Sequence, residues 1–84
     1  MKATKGTQIT CSGDSCKQVA GSFAKDLEDA SPITTDDILI DGEVAIPGHD
    51  GGTKWSCLSC NAPVAELIGE PRHWKVHTAR GWIA

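Results

Sequence analysis

Four cysteines fall in two close pairs, Cys11/Cys16 and Cys57/Cys60, in a chain of 84 residues. One domain of this length builds a core that contributes only about 3–5 kcal/mol unless some cross-link reinforces it. The cysteines are therefore the first candidates for that cross-link. Four residues separate Cys11 from Cys16 and two separate Cys57 from Cys60, so each pair can present two sulfurs to one ion through a tight turn.

Compartment decides between disulfides and metal. The first residues, Met1 to Gly6, lead into no apolar stretch of the kind that marks a secretory leader, and no run approaches a membrane span. The sequence thus predicts a cytoplasmic protein without a membrane partner. In a reducing setting, paired cysteines are metal ligands or redox groups more often than structural bridges. Zinc takes four tetrahedral sulfur or nitrogen ligands in a structural site, with no position left for a substrate. Cys11, Cys16, Cys57 and Cys60 complete that count alone, which predicts bound zinc, a closed site and no enzymatic activity.

Local patterns suggest how the chain is arranged between the pairs. Residues 1–8 read as a flexible N-terminal tail and residues 9–84 as a single zinc-binding domain. Ser15 and Gln18 have capping-box spacing, so a helix is expected from Cys16, with Cys16 in its first turn. Val19, Phe23 and Leu27, four apart and flanked by Ala20 and Ala24, supply an apolar stripe that ends before Ser31-Pro32. Asp41-Gly42 between Ile38-Leu39-Ile40 and Glu43-Val44-Ala45-Ile46 predicts a β-hairpin with a type I′ turn. A loop follows from Pro47 to Gly52, then a strand from Thr53 to Cys57 with Trp55 in the core. Val64 to Ile68 fits helix or strand, Trp74, Val76 and Thr78 alternate as a strand, and Trp82-Ile83 docks as an edge element. The fold expected is a small α+β zinc-stabilised domain, one N-terminal helix plus a small antiparallel sheet.

The two cysteine pairs together with the hairpin resemble a zinc ribbon or a related treble-clef-type module. That resemblance implies a structural zinc and a non-enzymatic role. Other ligand sets are open. Cys57, Cys60, His73 and His77 have the spacing of a two-cysteine, two-histidine finger, although Gly69 and Pro71 lie where its helix would begin. Three cysteines with His49, His73 or His77 form a further possibility. Cys57-Leu58-Ser59-Cys60 has the gap of a dithiol redox motif, but it follows an expected strand rather than opening a helix.

Charge points to two surfaces. Between Asp26 and Asp50 lie eight carboxylates and no lysine or arginine, and the chain carries a net charge of −3, which argues against a generic nucleic-acid coat. The C-terminal stretch is basic and aromatic instead. Arg72, Trp74, Lys75, Arg80 and Trp82 are candidate contacts to nucleic acid or to a protein partner. The functional expectation is a zinc-binding module acting as an adaptor or accessory factor for protein or nucleic acid. A structural or assembly component with purely structural zinc, and a dithiol redox protein, are the alternatives.

Overall fold

The computed structural model describes residues 2–13, 16, 18–47 and 53–84. These form eight short strands and one 3₁₀ turn, and contain no α-helix. The strands are β1 (Gln8–Thr10), β2 (Val19–Phe23), β3 (Ile38–Ile40), β4 (Ala45–Pro47), β5 (Lys54–Cys57), β6 (Pro63–Ile68), β7 (His73–Thr78) and β8 (Gly81–Ile83), with the 3₁₀ turn at Thr35–Asp37. All pairings are antiparallel, in the order β3-β2-β1-β7-β6-β5-β4, and β8 folds back on β7. The two ends of this path, β3 and β4, are consecutive in sequence. The sheet therefore has to curl until its ends approach, giving a nearly closed barrel.

The expected N-terminal helix is replaced by β2, and the reason lies in a bulge. Ile9 pairs with Gly21 while Thr10 pairs with Val19, so Ala20 is an extra residue on β2. A bulge shifts the inward set by one position. Ala20 and Phe23, three apart, are consequently both buried although they lie on one strand, which mimics helical spacing in sequence. Val19 is 43% exposed and Leu27 bridges Ala3 outside the strand, so the apparent stripe is not one face. Ser15, the expected helix cap, lies outside the described residues.

The expected hairpin is also replaced. β3 pairs with β2 and β4 pairs with β5, so the strands flanking Asp41-Gly42 part company. Asp41 still reverses the chain. Its carbonyl accepts from the N–H of Val44 and its carboxylate from the N–H of Glu43. Gly42 does not take the positive φ that a type I′ turn requires. The fold is therefore all-β rather than a helix plus a small sheet.

Elsewhere the alternation is as the sequence suggests. Along β7, Trp74, Val76 and Thr78 are buried and His73, Lys75 and His77 are half-buried. A second bulge, at Val64 between the partners of Trp55 and Ser56, turns both Val64 and Ala65 inward. These side chains join Ile9, Phe23, Ile33 and Ile38 in one core. Trp55 packs against that core with its ring centroid 4.8 Å from that of Trp74. Residues 2–8 lie against the same body, with Ala3 buried and Lys2 Nζ donating to the Ser31 carbonyl.

The acidic segment is partly compensated. Asp37 is buried, accepts from the Thr34 N–H and hydroxyl, and pairs with Lys25 at 2.9 Å. Burial alone would raise its pKa, but the Thr34 N–H and the Lys25 ammonium together hold it below the usual carboxylate range. A depressed pKa means that this stability is present above the unfolded value, about 3.9, and is lost as pH falls through the folded one. Lys25 is largely exposed, so most of the effect belongs to the Thr34 hydrogen bonds. Asp37→Ala is expected to cost about 1–3 kcal/mol in urea unfolding near neutral pH. The gap to the parent protein should narrow below about pH 4; a gap that does not change with pH would remove the carboxylate from the explanation.

Candidate metal centre

Two hairpin loops supply the four sulfurs. Cys11 and Cys16 lie in the connection between β1 and β2, Cys57 ends β5, and Cys60 sits in the turn leading to β6. The second loop is closed by the N–H of Asn61 donating to the Cys57 carbonyl and that of Cys57 donating to the Ala62 carbonyl. Asn61 adopts φ 62°, a left-handed conformation that asparagine tolerates better than most residues. In the first loop Ser12 Oγ donates to the Pro63 carbonyl at 2.7 Å, which ties the two loops together beside the sulfurs. Ser59 Oγ donates to Gln18 Oε1 on the other side.

All four Sγ atoms lie within 4.8 Å of one another. Four sulfurs about 2.3 Å from a tetrahedral ion would be roughly 3.8 Å apart. Cys16 and Cys57 meet that spacing at 3.7 Å, and Cys11 and Cys60 approach to 3.0 Å. Neither distance is a disulfide, which requires about 2.05 Å, and all four cysteines are free. The close partners are crossed. Both of these close contacts join sulfurs from different loops, so an ion at the centre would staple the loops rather than close either one.

Backbone donors favour thiolates here. The N–H of Gly13 points to Cys11 Sγ at 3.4 Å, that of Gln18 to Cys16, and those of Cys60 and Ser59 to Cys57. Against the penalty of burial, the Cys60 and Ser59 N–H groups, with the neighbouring sulfurs, bring Cys57 down to about 7. Burial, then the Cys60 sulfur, pushes Cys11 up to about 12. For Cys16 the Gln18 N–H favours the thiolate, but burial and the Cys60 and Cys57 sulfurs raise it on balance. Four crowded thiols, two of them buried, that cannot all ionise alone are what a divalent cation would relieve. A cation would also satisfy the donor set without further ligands.

Among the described residues the rival sets do not assemble. His73 and His77 are on strand β7 rather than a helix, with their Nδ1 atoms engaged by the Pro71 carbonyl and by Thr10. Among the described residues the only group of three or more metal-type side chains is the cysteine cluster. His49 and Asp50 lie outside the described residues. Cys57 and Cys60 follow a strand, not the N-terminus of a helix, which removes the setting that a thioredoxin-like dithiol needs.

The basic and aromatic candidates separate. Trp74 is 5% exposed, stacks on Trp55 and donates from Nε1 to Thr35 Oγ1 at 3.1 Å. It belongs to the core and has no face for a ligand. Arg72 precedes β7 at the end opposite Arg80, whereas Lys75 and Trp82 meet on the outer surface. Sequence reasoning missed Gly13. A Cβ there would lie 3.1 Å from Cys60 Sγ and 3.5 Å from Cys11 Sγ, so the position is filled by the cluster itself. The Cys-Ser-Gly order was the available signal.

Fold and site together define a small all-β domain with a four-cysteine cluster suited to a metal ion. No family model matches the chain, and comparison with curated proteins and with solved structures finds no match. No helix among the described residues is long and apolar enough to cross a membrane.

Proposed function

We propose that the protein is a non-enzymatic zinc-binding module that serves as an adaptor or accessory factor in the cytoplasm, with zinc held by Cys11, Cys16, Cys57 and Cys60. The convergence of four sulfurs from two loops within 4.8 Å carries this reading. An all-sulfur set of four favours zinc over the hard oxygen-seeking cations, and it leaves no open position for a substrate. Function then belongs to the surface that the metal-stapled loops support.

Native mass spectrometry with metal counting tests the site. One zinc per chain is expected in the parent protein, lost in Cys11→Ser and kept in His73→Ala. Metal-free parent protein, or metal lost only with His73, would overturn the assignment.

A further inference from the structure

The β7–β8 hairpin buries one face and offers the other. Trp74, Val76 and Thr78 point inward, while Lys75 and His77 occupy the alternate positions. His77 is the direct cross-strand partner of Trp82, and their rings meet edge to face with centroids 5.2 Å apart. Lys75 Nζ lies 4.9 Å from the Trp82 ring centroid. Trp82 is 37% exposed, whereas the other two tryptophans stack on one another. Arg80 stands exposed in the connecting turn, and residues 72–84 contain no carboxylate side chain.

A groove of about 670 Å³ adjoins this strip. His77 lines it and also touches Trp82, so strip and groove are continuous. Gln8, Thr10, Cys11 and Ser12, on and just after β1, line it too. Among the described residues that line it none is acidic.

We propose that this surface binds single-stranded nucleic acid, with a base stacked on the face of Trp82 away from Lys75. Phosphates are drawn to Lys75 and Arg80, and the strand continues into the groove toward Thr10 and Ser12. An exposed indole beside two cations, next to a groove with no carboxylate among its described lining residues, matches a ligand with flat rings and a negative backbone. An acidic peptide would use the charges and leave the indole face without a role. The inference rests on the metal-stapled reading above, because Cys11 belongs both to the sulfur cluster and to the groove wall.

The test is a fluorescence titration of the metal-loaded protein with oligouridylate and oligodeoxythymidylate of about ten nucleotides, inside the ~4–16-nucleotide range that small folds cover. A poly-glutamate peptide and a duplex are titrated in parallel. Both single strands should bind, more weakly at roughly 200 mM than at 50 mM salt. Trp82→Ala should weaken binding by about 5- to 100-fold, with Trp82→Phe recovering most of it. Lys75→Gln with Arg80→Gln should flatten the salt dependence by about one to two ions, and this pair keeps the test decisive if Trp82→Ala does not fold. Metal-loaded protein that ignores both oligonucleotides, binding unchanged in the Lys75/Arg80 pair, or equal binding of poly-glutamate would overturn the proposal. Metal content measured on the same samples separates the two readings. A protein without zinc undoes the module itself, while a zinc-loaded protein that ignores oligonucleotides undoes this surface alone.

Discussion

Chelating the zinc proposed at the four cysteines, at neutral pH, is expected to abolish cooperative thermal unfolding and the β-sheet signal in circular dichroism. Structural zinc contributes roughly 10–16 kcal/mol of apparent binding energy in small metal-dependent domains, against the ~3–5 kcal/mol that a core of this size supplies alone. The topology sharpens this. β1 meets β7 at one position, Ile9 opposite Thr78, so the β3-β2-β1 half of the sheet is joined to the rest by a narrow seam. The sulfur cluster spans the same two parts, from the β1–β2 loop to the β5–β6 loop. Without an ion, crowded sulfurs remain where a cross-link should be. Cys57→Ser should behave as the chelated protein does, and zinc added back should restore only the parent chain. A chelated protein with an unaltered melting curve would end the claim that metal binding and folding are one process.

Gly21→Ala is expected to be the most damaging single substitution that leaves every sulfur in place. A methyl at this position would fall on the Leu39 carbonyl oxygen and lie 3.0 Å from Ile40 Cα. Both obstacles are backbone, which cannot rotate away as a side chain can. Gly21 opposes Ile40, and β2 is the only strand that pairs with β3 among the described residues. Forcing them apart would withdraw Ile38, 4% exposed, from beside Phe23. Overpacking of this kind costs on the order of 3 kcal/mol, which for a domain of this length lowers Tm by roughly 10–25 °C. The measurement is a melting curve of the zinc-loaded variant. A shift of only a few degrees would show that the β2–β3 approach is softer than the geometry implies.

The site was more legible than the fold. Two close cysteine pairs in so short a chain pointed to one shared cluster, and the four sulfurs do converge. Strand β7 was legible too, since Trp74, Val76 and Thr78 alternate without interruption. The expected helix, and the open choice at Val64 to Ile68, trace to one cause. Bulges at Ala20 and Val64 break the two-residue period, and a strand with one added residue shows apolar spacings of three and four that belong equally to a helix. The Asp41-Gly42 signal marked a true reversal, yet a turn does not dictate that the strands it joins will pair. Their partners were chosen by distant features, above all the side-chain-free approach at Gly21. The role of Trp74 was ambiguous for a different reason. Nothing local to it distinguishes a ring stacked on Trp55 from a ring left in solvent, because that contact spans nineteen positions of sequence.

The short link from Asp41 to Val44 also bears on self-association. An outermost strand normally offers unpaired amides and carbonyls to any passing copy, and natural sheets guard against such growth. Here the two strands that end the main path of the sheet, β3 and β4, leave the same four-residue link, so their ends stay within about 18 Å of each other. That tether limits how far either rim can swing outward to recruit a second molecule. Lengthening it with a flexible insert would relax the restraint and favour exchange of β4 between copies, making dimer appear in proportion to protein concentration.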